Sequence, residues 1–213
     1  YGMEPIWVTA ERNHIKAATY FWIGSEAEIR GYRPSIFKKY DGSVLFKSRV
    51  DSVVKWLEYP ESERPKITML YFSDPDYTGH RYGTSSNEIN KSIKETDDLL
   101  GYIIDKLSRL KIYDKLNIII VSDHGMVDVS RDRVIILDEH INMNHFDVIL
   151  GPSITGLNLK PELITIKSDT FIKEIENADI FSKDNIPKQY HYKNEDTPDY
   201  IILADQGWFI TTS

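Results

Sequence analysis

Two apolar runs, Ile67-Thr68-Met69-Leu70-Tyr71-Phe72 and Leu116-Asn117-Ile118-Ile119-Ile120-Val121, flank one long helical pattern. That order restricts the fold more than any other feature of the chain. Between the runs, Ile89, Ile93, Leu100, Ile103, Ile104 and Leu107 recur at helical spacing behind Ser85 and Glu88, which are placed as a capping box. Strand, helix, strand, with apolar strands throughout, is the pattern of a parallel sheet covered on both faces. The expected class is therefore α/β, a mostly parallel sheet with helices on both faces.

Shorter segments extend this reading. Residues 6–9 and 19–22 read as strands, 10–18 as a short helix and 24–34 as a loop. Val50, Val53, Val54 and Leu57 give residues 48–59 an amphipathic helix, stopped by Pro60. Beyond residue 130 the expectation is peripheral: strands at 134–137, 148–150, 163–166 and 200–203, a short helix at 170–177 and a loop at 194–198. The closing Gly-Trp-Phe-Ile-Thr-Thr-Ser reads as a strand cut short, and the first strand lacks a capped segment before it. Residues 1–213 are thus expected to form one partial domain, incomplete at both ends.

Each of the two strands runs into a cluster of acids and imidazoles. Ser73-Asp74-Pro75-Asp76-Tyr77-Thr78-Gly79-His80 follows the first, and Ser122-Asp123-His124-Gly125 follows the second. Functional groups in open α/β sheets collect beyond the carboxyl ends of the strands. Asp76 and His80 are read across a loop in which Gly79 lets the chain turn; Asp123 and His124 are adjacent. Taken singly, a turn with a solvated histidine, or a capping aspartate with a hydrogen-bonded histidine, uses the same residues. Taken together, one βαβ unit apart, the clusters point to a divalent-metal site of one or two ions. The chain has no cysteine, so such a site must be built from oxygen and nitrogen.

Composition narrows the partners. A net charge of −7 argues against a groove for a nucleic-acid backbone, although a bound metal can reverse the sign locally for one phosphate. No run approaches the roughly 18 apolar residues of a membrane span, and the first residues show no signal-peptide pattern. His140, His145 and His191 read as solvated or structural. Asn90-Lys91-Ser92 is a glycosylation sequon set in a helical pattern.

Several segments in fixed order carry a resemblance: Pro5-Ile6-Trp7-Val8-Thr9-Ala10-Glu11, Phe21-Trp22-Ile23-Gly24-Ser25, Tyr40-Asp41-Gly42-Ser43, Glu63-Arg64-Pro65, Pro75-Asp76-Tyr77-Thr78-Gly79-His80, Ser122-Asp123-His124-Gly125-Met126 and, more thinly, Ala204-Asp205-Gln206-Gly207-Trp208. Together they resemble the nucleotide pyrophosphatase/phosphodiesterase family of the alkaline phosphatase superfamily. The resemblance implies an alkaline-phosphatase-like fold and hydrolysis of phosphodiester or pyrophosphate bonds in nucleotides or related diesters, including phospholipid head groups. It implies two Zn²⁺ ions, one on Asp76 and His80, the other on Asp123 and His124. It also implies that Tyr40 stacks the base, with Trp22 and Tyr71 near the pocket, and a setting that is extracellular, cell-surface, secretory or periplasmic, with or without a membrane anchor. The family's threonine nucleophile and remaining ligands are expected outside residues 1–213. Thr9, Thr78 and Thr197 do not stand in its motif, so the chain by itself is expected to bind zinc weakly and be inactive. The competing readings are another hydrolase of the superfamily (a phosphomonoesterase, or a lysophospholipase C-like enzyme) and a catalytically silent surface-binding homologue.

Overall fold

The computed structural model describes residues 3–163, 172 and 174–213. Contacts gather them into two compact units, Tyr1–Met126 and Val127–Ser213.

The first unit carries α1 (Ile6–Arg12), β1 (Ala17–Tyr20), β2 (Ile36–Lys38), α2 (Phe46–Leu57), β3 (Ile67–Leu70), α3 (Asp76–Tyr82) and α4 (Asn87–Ser108). Its sheet is parallel, ordered β2-β1-β3, with Ala18 opposite both Ile36 and Thr68. β1 is buried along its whole length. Because successive strand residues face opposite ways, Ala17 joins a core with Trp7, Val8 and Ala10 of α1, while Ala18 joins one with Val53, Trp56 and Leu57 of α2 and Leu107 of α4. Helices therefore cover both faces of this sheet. Each fully buried Val or Leu side chain here contributes roughly 1.5–3 kcal/mol.

Several expectations are corrected. Residues 6–9 are helical, not extended: Pro5 accepts from the amides of Val8 and Thr9, and the turn buries Trp7 and Val8, which outweighs their strand preference. The helix expected over 10–18 is the end of α1 followed by β1. The cap of α4 is Ser86, whose hydroxyl accepts from the Ile89 amide at 3.1 Å, rather than Ser85. On α4, Leu99 is buried and Ile93 exposed, so the stripe is offset from the one expected. Asp76 to His80 lie on a helix rather than a loop. Finally, residues 116–121 pair with no strand among the described residues, and Ile119 is 83% exposed. An apolar run becomes a strand only where a neighbour supplies its ladder partners.

In the second unit, β4 (Val134–Ile136) pairs in parallel with β9 (Phe209–Thr211). The other strands, β5 (Phe146–Ile149), β6 (Ile154–Leu159), β7 (Ala178–Ser182) and β8 (Tyr200–Ala204), form an antiparallel sheet ordered β5-β6-β8-β7. Here the mostly parallel expectation fails. The link from Ile149 to Ile154 is too short for a parallel crossover, which takes about a dozen residues or more. Leu137, Phe146, Leu157, Ile202 and Ile210 form this unit's core. Of the predicted strand at 163–166, residues 164–166 lie outside the described residues. Of the helix expected at 170–177, residues 174–177 are coil and turn, while 170, 171 and 173 lie outside.

Candidate functional site

β3 delivers the chain through residues 71–75 into α3, and α3 opens with Asp76. A carboxylate in the first helical turn is favoured by the amides there. His80 sits one turn later, so residues four apart in sequence share one face. Its Nε2 is 3.4 Å from Asp76 Oδ1. The second cluster comes to the same oxygen: His124 Nε2 is 3.9 Å from Asp76 Oδ1 and 3.7 Å from Asp123 Oδ2. All four residues singled out from the sequence are thus brought together. The Asp76 side chain is about half exposed as a whole, yet its Oδ1 is buried and has no hydrogen-bond partner among the described residues.

His124 is oriented locally. Its Nδ1 lies 2.9 Å from the Gly125 carbonyl, which can only accept, so Nδ1 carries the proton and Nε2 is left facing Asp76. That carbonyl, and behind it the Asp123 carboxylate, hold the imidazole above its ordinary pKa, against desolvation that lowers it. Fixing one ring nitrogen so that the other is presented is how ligand histidines are usually arranged. An orphaned carboxylate oxygen between two imidazole nitrogens, with no sulfur donor, fits the donor chemistry of zinc. Among the described residues, no three of these side chains converge at metal-binding distance.

Gly79 has a different task from the one expected. Its φ is not in the left-handed region; a Cβ there would lie 2.5 Å from Met126 Sδ. The missing side chain lets α3 approach the segment that carries Asp123 and His124.

A concavity of about 410 Å³ is lined by Phe21, Trp22, Ile23, Glu26, Tyr40 and Tyr71, among others. The three predicted aromatics, Trp22, Tyr40 and Tyr71, therefore share one wall system. Tyr40 is 55% exposed, and its ring centroid is 5.2 Å from that of Phe21. Its amide donates to Glu26 Oε1 at 2.7 Å. Burial pushes the Tyr71 phenol above its ordinary pKa; Tyr40, Asp123 and Asp76 push it further, and Arg49 opposes them. The acid–imidazole cluster and the aromatic concavity are electrostatic neighbours.

Glu26, Phe21 and Arg49 were not anticipated. For Arg49 a signal existed: Arg49, Val53 and Trp56 fall at i, i+4 and i+7, which places a cation on the buried stripe of α2. The three threonines set aside from the sequence make local bonds. Thr9 donates to Glu4, Thr78 to Asp74 and Thr197 to the Tyr192 carbonyl.

A model of the type I phosphodiesterase / nucleotide pyrophosphatase family matches residues 1–213. Venom phosphodiesterase 2 of Crotalus adamanteus is 36% identical over 217 residues, covering 98% of this chain and 27% of its own length. Human ectonucleotide pyrophosphatase/phosphodiesterase family member 1 is 36% identical over 221 residues, covering 98% and 24%. Among solved structures, murine ectonucleotide pyrophosphatase/phosphodiesterase 5 aligns with a TM-score of 0.84 at 30% identity, over 99% of this chain and 56% of that one. An inactive form of it in complex with AMP aligns equally well. The chain spans about a quarter of the length of these curated relatives.

Proposed function

The chain belongs to the type I phosphodiesterase / nucleotide pyrophosphatase family, and from that premise we propose that the protein carrying it hydrolyses phosphodiester or pyrophosphate bonds of nucleotides at a two-zinc centre. Asp76 and His80 hold one zinc, and Asp123 and His124 the other. The observation that carries this reading is the buried, unpartnered Asp76 Oδ1, faced by the Nε2 atoms of His80 and His124 beside an aromatic concavity. The chemistry supplied by bound zinc is charge stabilisation of the oxygens exchanged at phosphorus.

The chain's own residues do the rest of what is assigned here. The Gly125 carbonyl keeps the His124 proton on Nδ1 and so frees Nε2. Trp22, Tyr40 and Tyr71 line the concavity that receives a base, with Phe21 buried behind Tyr40, and a stacking contact there contributes on the order of 1–3 kcal/mol. This aromatic wall favours a nucleotide over a small phosphomonoester, and the AMP held by the murine neighbour has the same character. No nucleophile is assigned within residues 1–213. The protein's setting is taken to be outside the cytoplasm, as the venom and ectonucleotide names of its relatives state for them. Among the described residues, no helix is long and apolar enough to cross a membrane.

The test is elemental analysis of the purified protein together with hydrolysis of p-nitrophenyl esters. About two zinc ions per chain are expected, with nucleoside diesters cleaved faster than monoesters and activity lost in Asp123→Ala. A metal-free active protein, or an Asp123→Ala variant with full activity, refutes the proposal.

A further inference from the structure

Arg49 is the largest of the side chains buried to below 2% exposure, and it is charged. Its guanidinium lies between two aromatic rings, 4.8 Å from the centroid of Phe21 and 4.6 Å from that of Phe46. Nε donates to the Val44 carbonyl and Nη1 to the Tyr71 carbonyl, both at 3.1 Å. Among the described residues no carboxylate forms an ion pair with it. A buried cation whose counter-charge, the Asp41 carboxylate, lies beyond ion-pair reach is a poor way to stabilise a core, since an apolar side chain of similar volume commonly does as well or better. Its position is informative in another way: two of the four groups it touches, Phe21 and Tyr71, are walls of the aromatic concavity.

Both walls need holding. Phe21 has φ of +61°, a left-handed conformation uncommon for a residue with a side chain. Its ring is the one against which Tyr40 leans. Tyr71 is fixed from two sides: its amide donates to the Tyr20 carbonyl at 3.1 Å, and its carbonyl accepts from Arg49. It also stands at the exit of β3, five residues before Asp76. Only a planar, forked cation can stack between two rings and donate to two carbonyls at once; a lysine ammonium is a point charge and cannot.

We infer that Arg49 is a positioning residue for base recognition: clamped between Phe21 and Phe46, it fixes the ring that backs Tyr40 and the backbone of Tyr71, and so sets the shape of the concavity that receives the base. The inference rests on the nucleotide reading of the concavity. It does not require Arg49 to touch substrate.

The test uses the protein carrying this chain, with a nucleoside 5′-p-nitrophenyl phosphate and methyl p-nitrophenyl phosphate as substrates that share a leaving group and differ in the base. In Arg49→Lys, KM for the nucleoside ester should rise about tenfold with kcat within about twofold. That corresponds to weakening about one base-stacking contact made equally in ground and transition states. KM for the methyl ester should not move. Phe46→Leu, which alters the clamp on the side away from the concavity, should shift the same ratio in the same direction by roughly threefold; it also serves if Arg49→Lys does not fold. A lowered melting temperature with an unchanged ratio of the two KM values overturns the inference and leaves Arg49 a structural residue. A wild-type protein that cleaves neither ester, or both with equal KM, overturns the nucleotide reading and the inference with it.

Discussion

Replacing Gly79 with alanine sets two effects of similar size against each other. Alanine is favoured over glycine inside a helix by roughly 1 kcal/mol, and Gly79 lies at the middle of α3. Against this, the new methyl would stand 2.5 Å from Met126 Sδ, 3.2 Å from its Cε and 3.6 Å from Ile89 Cδ1. The sulfur must withdraw by about 1 Å to reach an ordinary contact. Overpacking of this kind costs about 1–3 kcal/mol, and the middle of that range, about 2 kcal/mol, applies: the sulfur must move far, but Met126 is flexible and 38% exposed. Gly79→Ala alone should therefore destabilise by about 1 kcal/mol. Met126→Ala removes a side chain that is only partly buried and should also cost about 1 kcal/mol. The double variant has no sulfur to displace: the helix gain then offsets the lost packing, and stability should return close to wild type. The resulting coupling is about 2 kcal/mol. Urea midpoints for the four proteins, at constant m-value, measure it directly. Additivity within about 0.5 kcal/mol would show that α3 and the Asp123-His124 segment do not meet at Gly79, and the account of that glycine would be wrong.

Two further perturbations test other parts of the first unit. Asp51 is held below its ordinary carboxylate pKa first by the Tyr102 hydroxyl, which donates at 2.7 Å, and then by Lys106 at 3.1 Å. A lowered folded-state pKa stabilises above the unfolded value and is lost as pH falls. The urea-midpoint gap between wild type and Asp51→Asn should therefore be full at pH 6 and close as pH drops below 3.8; a gap independent of pH refutes this. Ser86→Ala removes the acceptor for the Ile89 amide at the start of α4 and should cost about 1 kcal/mol by the same measurement, while Ser85→Ala, outside the cap, should cost almost nothing.

What could be read from the sequence was what periodicity carries. α2 and α4 emerged within a residue or two because each needs only its own pattern of apolar positions. β3 and β8 emerged because apolar runs bounded by polar residues leave little else to form. The failures share one cause: the deciding partner lies far away in the chain. Residues 116–121 have the composition of a strand, but no ladder among the described residues completes it. The Ile-Trp-Val-Thr of α1 favours extension locally, yet burial of Trp7 and Val8 beside Ala17 decides for a helix. β6 and β7 were missed, and the antiparallel sheet with them, because Thr155, Gly156 and Asn158 break the apolar run of one and Asp179 that of the other.

The candidate site divides along the same line. Asp76, His80, Asp123 and His124 were legible because carboxylates and imidazoles declare their chemistry by type alone. Their arrangement was not, since one oxygen shared between Nε2 atoms 44 positions apart depends on Gly79 admitting Met126. Arg49 shows the converse. Its type, on the surface, means little, and a buried cation means nothing until its neighbours are known. Only the two rings and two carbonyls around it separate a mispositioned charge from a clamp on the pocket. A polar residue on the apolar stripe of a helix therefore calls for asking which walls of which cavity it touches. The stability it sacrifices is recovered only if the geometry it fixes is used.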